Sequence, residues 1–179
     1  MTAGDSISSA MRTRLLENRH GRLTADQWKD IVTEPLVMLL LLLTPAIILL
    51  GPRLAFTFRA LGVIAAILIL VVIVPMGFRA WRYARAPVQF ARLYASDNPL
   101  ARRFLFWQPD ILYTESGEPL KFKKRLAPRT GLRANHAYLV YYLQERDHNV
   151  LLSLAPAQHP DSEKWQPSET YYARYARRT

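Results

Sequence analysis

Two uncharged stretches constrain this chain more than any other feature. Leu36 to Gly51 (LVMLLLLLTPAIILLG) and Ala60 to Phe78 (ALGVIAAILILVVIVPMGF) contain no Asp, Glu, Lys, Arg or His, and only the segment around Pro52 to Arg59 separates them. At about 1.5 Å of rise per helical residue the second run is roughly 28 Å long, close to the roughly 30 Å hydrocarbon core of a bilayer. The first reaches a spanning length when extended back through Ile31, Val32 and Thr33, which brings Glu34 near the surface. An unbroken Leu/Ile/Val helix has no polar face to offer water. The expectation is a transmembrane hairpin over residues 36–78, with a pair of buried core helices as the competing reading.

Charge sets the expected orientation. Of the 24 Lys/Arg and 14 Asp/Glu, which leave a net charge of +10, most of the basic excess follows the second run. Arg19, Arg22 and Lys29 precede the hairpin, Arg79, Arg82, Arg85 and Arg92 follow it, and the loop holds Arg53 and Arg59. The positive-inside rule then predicts an integral, multi-pass protein with both termini cytoplasmic, in a bacterial inner membrane in preference to an organellar one. Thr44, Gly62 and Gly77 are the small or hydroxyl positions singled out in the runs, and Gly62 with Ala66 forms a small-xxx-small pair suited to helix packing. Without a charged residue at mid-depth, transport by this chain alone is not expected.

Flanking signals divide the rest. Ile7, Met11 and Leu15 at helical spacing, with Ser6 or Ser8 before them and Gly21 after, predict a short helix over about 8–19, either solvated or skimming a membrane. Thr24 and Gln27 make a capping box, with Leu23 and Trp28 as its hydrophobic staple, so a further helix is expected from Ala25. Residues 1–35 thus form an N-terminal arm. Residues 79–97 are expected to be a juxtamembrane basic and aromatic helix in two parts. Trp81 and Tyr83 form its interfacial belt, and Pro87 starts the second part, with Val88, Ala91 and Tyr94 or Phe90 and Leu93 on one side.

From Asn98 to 155 short aromatic and branched runs alternate with turn chemistry: Phe104 to Trp107, Ile111 to Thr114, Leu120 to Lys124, Ala137 to Leu143 and Val150 to Leu154. The run Tyr138 to Leu143 is apolar on both faces, as a central strand would be. Two apolar spans followed by such a domain resemble the layout of the membrane-anchored NfeD-type proteins, and that resemblance implies a small OB-like barrel. Residues 156–179 read as a proline-bearing linker and a basic C-terminal helix capped by Ser168. The fold class expected is an α+β membrane protein: a two-helix transmembrane hairpin, a small antiparallel β domain (meander or partly open barrel), and a C-terminal helix.

Chemistry is sparse. With no cysteine there is no disulfide, thiolate metal site or Cys nucleophile. His20, His136, His148 and His159 are scattered without ligand spacing, and no G-x-S-x-G, P-loop or G-x-G-x-x-G occurs, so no catalytic, cofactor or metal residue is assigned. The densest charge is Lys121 to Arg125 (KFKKR). On a strand Lys121, Lys123 and Arg125 would share one face, with Phe122 and Lys124 on the other. Arg79, Arg82, Arg85, Lys121, Lys123, Lys124 and Arg125 are the candidate contacts to lipid or partner. The function expected is a non-catalytic accessory, anchoring or assembly subunit of a larger respiratory, photosynthetic or transport complex, its partners being other membrane subunits and anionic lipid headgroups. The alternative is a membrane-tethered β-barrel module that recruits anionic lipid, RNA or an acidic protein, with nucleic acid the less expected ligand.

Overall fold

A computed structural model describes residues 7–33, 70–71, 74, 76–95, 110–128, 132–144 and 149–176. The chain divides into two compact units, one formed by Met1–Gln27 and Ala86–Thr179 and the other by Trp28–Arg85.

The first unit is a closed five-stranded barrel. Its strands are β1 (Val88–Ala95), β2 (Asp110–Tyr113), β3 (Pro119–Arg125), β4 (Ala137–Gln144) and β5 (Asn149–Pro156). They close in the order β1-β2-β3-β5-β4. Every pairing is antiparallel except β3 with β5. A β domain does follow residue 98, but it also takes in residues 88–95, and it is closed, with one parallel contact, instead of an antiparallel meander or partly open barrel.

Strand β1 corrects the helix expected after Pro87. The sequence VQFARLYA satisfies a helical period through Val88, Ala91 and Tyr94, yet it also alternates, and pairing with β4 from Val88↔Leu143 to Tyr94↔Ala137 decides between the two. Tertiary pairing outweighs local preference here.

Alternation assigns the barrel faces. Leu93, Ala95, Leu112, Phe122, Val140, Leu151 and Leu154 are buried. Phe122 on β3 meets Tyr142 edge-on at 5.7 Å. Those strands are not neighbours, so the contact crosses the lumen. Tyr141, Leu143, Val150, Ser153 and Ala155 are also buried, although their registers put them on the outer face.

What covers that outer face is the N- and C-terminal chain. Helix α1 (Ser9–Asn18) begins where the Ser8 side chain accepts from the Met11 N–H at 3.2 Å. Its Met11 and Leu15 are fully buried, and Asn18 donates to Ser153 Oγ at 2.7 Å. The helix is thus packed on β5, where a solvated or membrane-skimming surface was expected. A 3-10 turn (Ser162–Trp165) and the C-terminal helix (Glu169–Ala176) complete the cover. Tyr141 donates its hydroxyl to Trp165 O at 2.7 Å and Tyr171 to Val88 O at 2.8 Å. Ser168 stands directly before the C-terminal helix, where its carbonyl accepts from Tyr172 N at 3.3 Å, and its Oγ donates to Arg19 O at 3.0 Å.

The capping box forms as its spacing predicts. Gln27 N donates to Thr24 Oγ1 at 3.2 Å and Thr24 N to Gln27 Oε1 at 3.0 Å, starting a helix (α2) described over residues 25–33. A β-bulge gives Gln27 a second role. Tyr141 pairs with Ser153 but Tyr142 with Leu151, leaving Leu152 unpaired, and Gln27 Nε2 donates to Leu152 O at 3.0 Å. The expected N-terminal arm is therefore part of the barrel unit up to Gln27.

In the second unit the transmembrane hairpin is corrected. Among the described residues no helix is long and apolar enough to cross a membrane. Gly62, Ala66 and most of both apolar runs lie outside the described residues. Residues 70, 71, 74 and 76–85 are helical (α3), and Arg79, Arg82 and Arg85 fall within its described part. Hydropathy reports how readily a run leaves water, and it does not fix the length of uncharged continuous helix that spanning requires. The integral, multi-pass placement with both termini cytoplasmic rested on the hairpin and is corrected with it.

Candidate functional site

Because the terminal helices pack toward β4 and β5, the outer side of β1, β2 and β3 is the barrel wall with the most exposed side chains. Its residues follow from the register. Tyr94 pairs with Tyr113 and Tyr113 with Pro119, so these lie in one row across three strands. Ile111 pairs with Lys121 in the next row, and Lys123 continues along β3. Arg92 stands two residues before Tyr94 on the same face. Directly paired side chains lie about 4.5–5.5 Å apart at Cβ, and successive same-face residues on a strand about 6.6 Å apart. The result is a surface in which aromatic rings sit beside cations. Arg92, Lys121 and Lys123 are exposed, while Tyr94, Ile111 and Tyr113 are half-buried.

The electrostatics of this wall are those of uncompensated positive charge. Among the described residues Arg92, Lys121 and Lys123 form no ion pair or side-chain hydrogen bond. Acidic groups bound the wall at the β2–β3 turn, where the Tyr94 hydroxyl donates to Glu115 Oε1 at 3.4 Å. That turn is closed by Gly117 N to Thr114 O at 3.0 Å and needs the positive φ of +82° that Gly117 supplies.

A second bulge revises the KFKKR cluster. Phe122 pairs with Asn149 while Lys124 pairs with the next residue, Val150, so one residue of β3 is extra and the alternation reverses beyond it. Arg125 consequently leaves the face of Lys121. It reaches Asp110 Oδ2 at 3.3 Å and the carbonyls of Ala127 and Pro128 at 3.3 and 3.1 Å. Lys124 is half-buried. Of the four cations expected to act together, Lys121 and Lys123 form the exposed pair and Arg125 is a structural tie.

Arg79, Arg82 and Arg85 belong to the other unit, on α3. Arg82 and Arg85 are exposed. The Arg85 guanidinium lies 3.9 Å from the Trp81 ring centroid and that of Arg79 lies 5.7 Å from the ring of Tyr83, both cation–π distances.

The histidines do not assemble a centre among the described residues, where no cluster of metal-ligating type occurs. His148 lies outside them. His136 Nδ1 sits 2.9 Å from Ala134 O. His159 packs against Trp165 at 4.7 Å and accepts from the Asp161 N–H at 3.1 Å. Asp161 is held below the usual carboxylate range by a hydrogen bond from Lys164. His20 lines a cleft of about 330 Å³ with Arg22, Thr170 and Arg174. Its Nδ1 is 2.9 Å from both Ser168 Oγ and Thr170 Oγ1. Since Ser168 commits its single proton to Arg19 O, it stands toward His20 as an acceptor. This cluster ties the C-terminal helix to the end of α1.

The sequence reading missed Arg92, Tyr94 and Tyr113 as members of one surface. The period-2 alternation of VQFARLYA was the signal available. The chain matches no protein family, no curated protein and no solved structure.

Proposed function

We propose that the barrel is a non-catalytic binding module whose β1–β2–β3 wall takes single-stranded nucleic acid. The observation carrying this reading is the row of tyrosines in cross-strand register, Tyr94 and Tyr113, next to the unpaired cations Arg92, Lys121 and Lys123. Nucleic acid without sequence preference is held by backbone charge neutralisation together with stacking of bases on aromatic rings, and residues of both kinds share the outer face of β1, β2 and β3. A lipid surface would engage the same cations but offers no flat bases for the two tyrosine rings to stack on. An acidic peptide would engage the cations without requiring the half-buried rings of Tyr94 and Tyr113 beside them. The accessory-subunit expectation leaned on Gly62 and Ala66, which lie outside the described residues.

The test is fluorescence anisotropy of the full chain with a labelled pyrimidine oligonucleotide across a salt series. Three phosphate contacts predict a log–log salt slope of about −2, at roughly −0.7 per contact for single strands, and Lys121→Ala with Lys123→Ala should flatten it to about −0.7. No binding at low salt, or a slope unmoved by the double substitution, refutes the assignment. Binding to anionic vesicles that those lysines alone control would identify lipid as the ligand instead.

A further inference from the structure

The second unit carries a surface that the barrel's function does not use. On α3 the side chains of Leu70, Val71, Val74, Phe78 and Trp81 are 60%, 45%, 59%, 61% and 52% exposed. Phe78 and Trp81, three residues apart in the described helical stretch 76–85, share one face, and Leu70, Val71 and Val74 precede them in the chain. Phe78 and Trp81 touch, with ring centroids 6.0 Å apart. Large apolar side chains exposed together mark an interaction surface. The helix is graded along its length. Its apolar residues come first, Trp81 stands at their end, and Arg79, Arg82 and Arg85 occupy the last turns, with Arg85 stacked on Trp81 at 3.9 Å.

From this grading we infer that α3 docks on an anionic lipid surface, its apolar side dipping into the boundary between headgroups and acyl chains. The occupant follows from the chemistry at the edge. An indole capped by a guanidinium presents an apolar body and a charged tip at one level, the arrangement suited to a boundary between hydrocarbon and phosphate. The neighbouring arginines supply charge complementary to acidic headgroups. A protein groove would cover the apolar side chains but would not call for cations gathered at one end of them. The residues involved belong to the second unit, and none of them is part of the β1–β2–β3 wall.

Vesicle co-sedimentation of the full chain tests this, using phosphatidylcholine vesicles with and without phosphatidylserine. The chain should bind the mixed vesicles, more weakly as salt rises, and the zwitterionic ones poorly. Arg82→Ala and Arg85→Ala should each weaken binding about fivefold. Phe78→Ser with Trp81→Ser should abolish it while leaving the far-ultraviolet circular dichroism unchanged, because both side chains are exposed. Trp81→Phe should keep binding but remove a blue shift in tryptophan emission seen with the parent chain. Lys121→Ala with Lys123→Ala should leave vesicle binding intact. Failure to bind acidic vesicles, equal binding to both kinds, or indifference to the Phe78 and Trp81 changes would overturn the inference.

Discussion

Replacing Gln27 probes the joint between the N-terminal chain and the barrel. Its amide is fully buried and serves two elements at once: Oε1 accepts from Thr24 N at 3.0 Å and Nε2 donates to Leu152 O at 3.0 Å. Gln27→Ala removes one half of the capping box, at a cost of about 0.5–2 kcal/mol. It also strands the carbonyl of the bulged residue, which costs about 1–3 kcal/mol when no water replaces the donor. Together these amount to about 3 kcal/mol, a fall in Tm of roughly 6–12 °C for a chain of this size. Gln27→Glu is the sharper variant. It keeps the acceptor for Thr24 N but turns the donor facing Leu152 O into a second acceptor carrying charge. Burial raises the pKa of the introduced carboxylate, so the folded state favours its protonated form, which restores a donor. The deficit of Gln27→Glu should therefore be large at pH 7 and shrink as pH falls toward 5, whereas that of Gln27→Ala should not recover. Thermal and urea unfolding of the full chain at both pH values measures this. A loss below about 0.5 kcal/mol for Gln27→Ala, or no acid rescue of Gln27→Glu, would refute the two-element role.

Tyr141→Phe should cost about 1–3 kcal/mol in urea unfolding, because it deprives the buried Trp165 carbonyl of a donor at 2.7 Å. Burial raises the Tyr141 pKa and the neighbouring Tyr171 adds to the rise, with Arg19 partly opposing it and Tyr172 contributing least. The folded protein thus holds this proton more tightly than the unfolded chain, and its contribution to stability is complete below about pH 10 and lost as pH rises through the folded value. An ultraviolet titration should show at least one tyrosine that ionises only on unfolding. Lys164→Ala should bring the Asp161 titration, followed by NMR, up toward the ordinary carboxylate range, since the Lys164 hydrogen bond is the main cause of its depression. Gly117→Ala should cost about 1 kcal/mol with no steric clash, because an added Cβ meets nothing within 4 Å and the strain lies in the positive φ.

Legibility followed the range of the interactions involved. The capping box at Thr24 and Gln27 and the Ser8 start of α1 were readable because their partners lie three residues away. So were β3, β4 and β5 to within a few residues, and the two-faced burial of Tyr138 to Leu143. Barrel closure was not, because it depends on pairing β1 with β4 across nearly fifty residues of sequence. The same hidden pairing turned Val88–Ala95 from an expected helix into the strand that carries Arg92 and Tyr94. Bulges defeated the face assignment of Arg125, since one extra residue reverses all that follows it. Gln27's second bond, to Leu152, joins residues 125 positions apart. The hydropathy of the two apolar runs predicts a span, whereas among the described residues no helix is long and apolar enough to cross a membrane.

The claim that the β1–β2–β3 wall is the binding surface is met most directly by NMR titration of the full chain with a short single-stranded oligonucleotide, following the amides residue by residue. The account predicts that shifts cluster at Arg92, Tyr94, Ile111, Tyr113, Lys121 and Lys123 and leave Leu143, Val150 and Ala155, under the terminal helices, unmoved. Shifts confined to the helix-covered wall, or no shifts at saturating oligonucleotide and low salt, would contradict it.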